Sequence, residues 1–183
     1  MRDALAIREK VLGPEHPHTA TSLNNLAWLL QAQGDYSGAR PLYQRALAIC
    51  EKALGPEHPE TATILDNLAG VLRAQGDLAG ARPLYERVLA ILEKAAGSEH
   101  PDTNRARCNL SRLLLLVGTP TEALSLGRSA LTAHDRALGP NHAWTKDSAR
   151  VTADALHALG RSEEAKVLRE RYGVTSSEDP KRS

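Results

Sequence analysis

Apolar residues recur at helical spacing along most of the chain. In the first clear segment four of them stand at i, i+3, i+4 and i+7, namely Leu23, Leu26, Ala27 and Leu30. This spacing places them on one face of a helix. A second segment from Ala39 to Cys50 has the same period. Gly34 is of the type favoured just past a helix, and Asp35 is a good N-cap. The pattern predicts two antiparallel helices joined by a short turn.

This helix pair repeats every 42 residues without insertion or deletion. We divide the chain into blocks 13–54, 55–96, 97–138 and a divergent block 139–172, and about 30 of 42 positions are identical between the first two blocks. A fixed period of this length is typical of stacked helical units. Neither helix of a pair can bury its apolar face alone, so each pair must pack on the next. The sequence predicts an all-α fold, an α-solenoid of antiparallel helix pairs.

The residues that carry the repeat resemble the tetratricopeptide repeat (TPR). In the first block they are Leu23, Leu26, Ala27, Leu30, Gly34, Ala39, Tyr43 and Ala46. The 42-residue length, the LGPEHP loop at 12–17 and the LNNLA segment at 23–27 resemble the kinesin-light-chain subclass. The resemblance covers residues 1–172. It implies a TPR superhelix whose first helices line a concave groove that binds protein or peptide partners.

The two ends of the chain depart from the repeat. Residues 1–12 match the end of a second helix, so we expect a truncated N-terminal repeat. Its uncovered apolar face indicates either a fragment of a longer protein or self-association. Block 139–172 has Thr152 and Arg169 at positions that are apolar or aromatic in earlier blocks, which fits a capping repeat. The segment 173–183 has almost no apolar residues, and we expect a disordered tail.

Composition and charge narrow the range of partners and locations that we expect for this protein. The formal net charge is +1, so no overall field favours nucleic acid or a membrane surface as partner. No apolar stretch is long enough to span a bilayer, and no signal peptide opens the chain. We therefore predict a cytoplasmic protein. Cys50 and Cys108 fall inside helices and are expected to be buried thiols, with a disulfide as the alternative.

Recurring histidines are the first candidates for chemistry. One stands in the loop before each block's first helix, at His16, His58, His100 and His142. Zinc ligands must all lie about 2 Å from one ion, whereas packed helices are about 8–10 Å apart. We therefore expect each histidine to structure its turn or to cap the following helix. No phosphate-binding loop, metal motif or catalytic constellation stands out, so we predict no enzyme activity, cofactor or metal.

The resemblance assigns the binding groove to the first helices, off their apolar faces. The candidate peptide-binding residues are Asn24, Asn25, Trp28, Asp66, Asn67, Arg73, Arg105, Asn109, Arg112 and Arg150. Within this set Asn25, Asn67 and Asn109 recur once per block. An amide side chain has a donor and an acceptor and can bind an extended peptide backbone. The matching asparagines of the kinesin-light-chain family contact cargo peptide, which is what the resemblance implies here.

Four arginines and a tryptophan suggest what the ligand looks like. Arg73, Arg105, Arg112 and Arg150 can pair with carboxylates, and Trp28 offers an apolar anchor. These residues favour an extended, acidic peptide with one bulky apolar side chain. The alternative is that the arginines are solvated and partly neutralised by Asp66, Asp147 and Asp154. A second function also stays open: a self-associating structural or regulatory array from a larger signalling protein.

Overall fold

The computed structural model describes residues 9–176 and is helical throughout this range apart from turns. Residues 9–12 are helical, and eight complete helices follow. They are α1 Pro17–Ala32, α2 Tyr36–Ala53, α3 Pro59–Ala74, α4 Leu78–Ala96, α5 Pro101–Leu116, α6 Pro120–Leu138, α7 Ala143–Ala158 and α8 Ser162–Tyr172. The predicted all-α array of antiparallel helix pairs is confirmed.

Histidine side chains begin the first helix of each block. The Nδ1 atoms of His16, His58, His100 and His142 accept hydrogen bonds of 3.1 to 3.2 Å from the backbone N–H two residues later. A proline follows the histidine at the start of α1, α3 and α5, where its missing N–H costs nothing. The predicted capping role of the histidines is confirmed, and it explains their recurrence without a metal.

In the first three blocks the linker before the first helix is held by a threonine in the first turn of that helix. The hydroxyls of Thr19, Thr61 and Thr103 donate to the carbonyls of Gly13, Gly55 and Gly97 at 2.8 to 2.9 Å. These three linkers also carry a glutamate paired with a base near the end of the following second helix: Glu15 with Lys52, Glu57 with Lys94 and Glu99 with Arg136. The repeated contacts fix the linker in each of these blocks.

The chain divides into two compact units between Ala95 and Ala96. Unit 1 contains α1 to α4, and its core is built from fully buried side chains of all four helices, including Leu23, Ala39, Tyr43, Leu65 and Ala81. Pro41 and Pro83 lie inside α2 and α4, and both helices continue past them. The Tyr43 hydroxyl donates to Gln31 at 3.0 Å, and burial raises the pKa of this phenol to about 12.

Unit 2 contains α5 to α8, and its core is more polar. Asn104, Ser111, His134, Ser148 and Thr152 are all buried. Thr152 therefore does not lie on an outer capping surface, as its polarity suggested, but within the helix packing. Arg169 is mostly buried too, at 20% side-chain exposure, because it pairs with Asp154 at 2.8 Å.

The two chain ends are only partly described. Val174 is buried against Leu131, Ala149 and Tyr172, so the segment predicted to be disordered from residue 173 begins with a packed residue. Gly173 ends α8 in the left-handed conformation that permits this turn. The predictions for residues 1–8 and 177–183 lie outside the described residues.

Candidate functional site

The first helices of unit 1, α1 and α3, carry six of the predicted site residues. We call them the unit 1 face: Asn24, Asn25, Trp28, Asp66, Asn67 and Arg73. Asn67 Nδ2 donates to Asn24 Oδ1 at 3.0 Å, so the structure joins two predicted residues from successive blocks. Each amide keeps hydrogen-bonding capacity beyond this bond. The bond therefore orients two polar groups without exhausting them.

Trp28 is the most conspicuous side chain of the unit 1 face. It is 56% exposed, although tryptophan is usually well buried. Asn25 is exposed as well, and Arg73 is half-buried. Within residues 9–176 the structure records no hydrogen bond, ion pair or ring contact for the side chains of Trp28, Asn25 and Arg73. This face therefore presents an apolar ring, an amide and a guanidinium that are available to a ligand.

A cavity of about 170 Å³ opens beside Asn24. It is lined by Thr21, Asn24, Cys50, Glu60, Thr63 and Ile64. The two threonine hydroxyls donate to backbone carbonyls of their own helices, so they contribute mainly their methyl groups to the cavity wall. Burial raises the pKa of the Cys50 thiol, and the nearby Glu60 charge adds to the effect. The thiol therefore stays protonated at neutral pH.

The first helices of unit 2, α5 and α7, carry the other four predicted residues, and we call this set the unit 2 face: Arg105, Asn109, Arg112 and Arg150. Three of the four belong to one cluster around Asp147. Arg112 Nη2 lies 2.7 Å from both carboxylate oxygens of Asp147, and Arg150 Nη1 donates to the same group at 3.2 Å. Asn109 Oδ1 accepts from Arg112 Nη1 at 3.3 Å.

Asp147 is outside the ten predicted site residues, although sequence reasoning named it as an alternative neutralising group. The structure shows this neutralisation for Arg112 and Arg150. The pairing of Asp147 with Arg150 could have been found from their i, i+3 spacing on one helix. The pairing with Arg112 joins helices of different blocks and had no comparable signal in the sequence.

Arg105 is engaged differently, because its guanidinium lies over the Trp144 ring at 5.4 Å from the centroid. Trp144 also contacts the rings of His134 and His142, at centroid distances of 5.9 and 5.6 Å. Sequence reasoning missed Trp144. The signal available was a tryptophan two residues after the capping histidine of block 139–172. A guanidinium that lies over an indole ring is held there by a cation–π contact.

A buried polar group lies beneath the Asp147 cluster. His134 Nδ1 is 2.9 Å from Ser148 Oγ, and its Nε2 is 2.9 Å from the Pro101 carbonyl. Burial lowers the pKa of His134. The Cys108 thiol donates to Asp147 at 3.5 Å, and burial together with the Asp147 charge raises its pKa to about 12. Such a thiol stays protonated at neutral pH and is no nucleophile.

Cys50 and Cys108 are both buried free thiols, as predicted. Across residues 9–176 there is no group of three or more histidine, cysteine, aspartate or glutamate side chains placed to hold a metal ion. Among the described helices, none is both long and apolar enough to cross a bilayer.

Helix pairs whose first helices present polar side chains are characteristic of helical repeat proteins. Comparison with known families identifies which repeat this chain contains. The tetratricopeptide repeat model matches residues 1–52, 30–94, 60–134 and 102–171, and the chain belongs to this family. Such repeats generally serve as protein-interaction scaffolds and are typically non-catalytic. Among curated protein sequences, none matches the chain.

Solved structures place the chain near kinesin-light-chain-like arrays. A protein of Podosopora anserina with nearly identical TPR-like repeats, assigned to the kinesin light chains, is 31% identical; the match covers 94% of this chain and 82% of that chain, with a TM-score of 0.79. A single-substitution variant of that protein gives a TM-score of 0.81 at the same identity, covering 94% of this chain and 81% of that chain. BtubC (BKLC) from P. vanneervenii shares the fold at 21% identity, covering 100% of this chain and 75% of that chain with a TM-score of 0.83. The predicted resemblance is confirmed.

Proposed function

We propose that the chain is a non-enzymatic scaffold that binds an extended segment of a partner protein on its first-helix faces. The observation that carries this proposal is the exposed Trp28 on the same face as the oriented Asn24–Asn67 amide pair. Exposed aromatic side chains are frequent anchors of protein interfaces. At 56% exposure, more than half of the Trp28 side chain is accessible to a partner.

The amides supply the backbone contacts of this proposal. An extended peptide presents an N–H and a carbonyl at each residue, and an asparagine side chain can bond both. Asn25 and Asn67 on the unit 1 face and Asn109 on the unit 2 face are the side chains proposed to do so. Contacts of this kind hold a backbone without selecting its sequence, so specificity must come from the residues around them.

The arginines supply the specificity. Arg73 on the unit 1 face, and Arg105, Arg112 and Arg150 on the unit 2 face, favour a segment that carries carboxylates. Asp66, half-buried on the unit 1 face, is proposed to limit how acidic a segment that face accepts. We therefore expect an acidic segment with one bulky apolar residue that packs on Trp28.

A peptide-binding experiment tests this function. An array of acidic peptides, each with one aromatic residue, is incubated with the wild-type chain and with Trp28→Ala, Asn67→Ala and Arg73→Glu. We expect each substitution to weaken binding, Trp28→Ala by about tenfold or more if it is an anchor. Gln44→Ala on the exposed side of α2 is the control and should bind as wild type. Unchanged binding in all three face variants would falsify the assignment of this face.

Self-association is the second candidate function, and one observation favours it. Val11 is 72% and Leu12 is 42% exposed, side by side on the helical turn at 9–12. Sedimentation velocity over a hundredfold concentration range tests it, with Val11→Lys as the disrupting variant. Val167→Lys is the control, since Val167 is also an exposed apolar residue, at 63%, but lies on α8. A monomer at all concentrations removes this candidate. A cytoplasmic location stays a prediction from the sequence.

A further inference from the structure

On the unit 2 face the chain supplies a carboxylate of its own to the arginines proposed to bind acidic ligands. Both oxygens of Asp147 lie 2.7 Å from Arg112 Nη2, and Oδ1 also accepts from Arg150 at 3.2 Å. One guanidinium nitrogen thus donates to both oxygens of a carboxylate, while the other terminal nitrogen of Arg112 donates to Asn109. A charge-assisted bond of this kind is also how arginine binds the carboxylate of an acidic ligand. The position that a ligand carboxylate would take on Arg112 is therefore occupied by an internal group.

The cluster is accessible. The side chains of Arg112, Asp147 and Arg150 are 32%, 38% and 37% exposed. Asp147 is a single carboxylate that both arginines bind. An incoming anion must therefore compete with Asp147 for these two guanidinium groups.

We propose that Asp147 is an intramolecular competitor that sets the affinity and selectivity of the unit 2 face for acidic segments. This inference rests on the proposed function. A ligand carboxylate gains Arg112 Nη2 by displacing Asp147, which then keeps Arg150 as its partner on the same helix. A partly exposed ion pair contributes little free energy, so the displacement is within reach of a ligand with several carboxylates. A ligand with a single carboxylate gains too little to displace it.

The location of Asp147 explains why it can act in this way without harming the fold. It lies on the face, but its neighbour Ser148 is buried and hydrogen-bonded to His134. The backbone position of Asp147 is thus fixed by the packing of α7, while its side chain remains partly exposed. Replacement by asparagine keeps the size and one acceptor oxygen, removes the charge and turns the other oxygen into an NH2 donor.

The test measures binding of two labelled peptides by fluorescence anisotropy. One is a nonapeptide with four glutamates and one tryptophan, and the other has a glutamine at every glutamate position. The proteins are wild type, Asp147→Asn, Arg112→Gln and the double variant. Glu163→Gln is the matched charge control, because it makes the same change in net charge at an exposed position on α8.

We expect Asp147→Asn to bind the acidic peptide about threefold to tenfold more tightly than wild type, since removal of a competitor worth about 1 kcal/mol changes affinity by about fivefold. Glu163→Gln should change it less than twofold. Arg112→Gln should weaken binding, and the loss should be larger in the Asp147→Asn background, where no internal carboxylate competes for Arg112. The glutamine peptide should show no gain.

The outcomes separate this inference from the proposed function. If wild type binds the acidic peptide and Arg112→Gln weakens it, but Asp147→Asn binds no more tightly than Glu163→Gln, the competitor role is wrong and the binding function stands. If no variant binds either peptide, both the competitor role and the proposed binding function are wrong. Thermal unfolding of each protein first establishes that it is folded. If Asp147→Asn is unfolded, Asp147→Ser is measured in its place, and the same gain in affinity over Glu163→Gln is required of it.

Discussion

At the scale of single residues, Gly127 shows how closely two helices of unit 2 approach. A Cβ atom at this position in α6 would lie 2.8 Å from Thr152 Oγ1, 3.3 Å from Ser111 Oγ and 3.4 Å from the Thr152 Cα. We expect Gly127→Ala to destabilise the protein by about 1–3 kcal/mol through overpacking, although alanine is the better helix former. Urea unfolding measures the difference.

Gly70 is the matched control for this prediction, because it is also a glycine inside a helix. A Cβ atom there would have no neighbour nearer than 3.8 Å. Gly70→Ala should therefore stabilise the protein by about 0.5–1 kcal/mol, the usual gain from replacing glycine in a helix. Equal effects of the two substitutions would mean that helix propensity, and not the close approach of α6 and α7, determines the stability change of Gly127→Ala.

His134 gives unit 2 a dependence on pH. Burial lowers the pKa of His134 from the ordinary value of 6.5, and the His142 charge lowers it further. The hydrogen bond to the Pro101 carbonyl and, more weakly, the Asp147 charge raise it. Below about pH 6.5 the unfolded chain binds a proton that the folded chain does not, so the free energy of unfolding falls with falling pH. The loss should level off once the pH lies below the folded pKa.

The measurement is urea unfolding between about pH 7.5 and 5, followed by Trp144 fluorescence in a Trp28→Phe background. His134→Gln should flatten the slope, because glutamine does not titrate. The carboxylates of Glu15 and Glu57 do not interfere, since bonds to Lys52 and Lys94 lower their pKa values from 4.5. A slope that survives in His134→Gln would assign the effect to another group.

At the scale of helices and linkers, the fourth linker lacks a threonine hydrogen bond that the first three linkers have. Thr61 donates to the Gly55 carbonyl at 2.9 Å, whereas the hydroxyl of the equivalent Thr145 is buried without a hydrogen-bond partner among residues 9–176. Valine has the same shape without the hydroxyl. We expect Thr61→Val to cost about 0.5–1.5 kcal/mol and Thr145→Val to be neutral or stabilising. Thermal unfolding of both variants checks the contrast, and an equal loss in both would contradict it.

The helices and their contacts also show which features the sequence could predict and which it could not. The helices and their histidine caps follow from local patterns, because a periodic apolar face and a cap need only residues within one turn. The Arg112–Asp147 pair and the Arg105–Trp144 stack depend on which helix rows face each other, which local pattern does not encode. Thr152 was misplaced for a related reason: polarity predicted exposure, but the absence of a side chain at Gly127 lets the threonine be buried.

At the scale of the whole molecule, the division into two compact units predicts how the chain responds to damage. Leu65 in unit 1 and Leu113 in unit 2 are both fully buried leucines on first helices. Their replacement by alanine should cost about 2–5 kcal/mol each. In repeat proteins each unit draws its stability from its own packing and its nearest neighbours. We therefore expect Leu65→Ala to lower amide hydrogen-exchange protection mainly in α1 to α4, and Leu113→Ala mainly in α5 to α8.

The two variants act as each other's control, because they make the same chemical change at equivalent burial. Exchange followed by mass spectrometry resolves peptides on either side of Ala95, where the units divide. Local opening below the global unfolding free energy appears as a loss of protection confined to one set of peptides. If both variants instead lower protection evenly from α1 to α8, the chain unfolds as one cooperative body. In that case a ligand bound to the unit 1 face would stabilise α5 to α8 as much as the helices it touches.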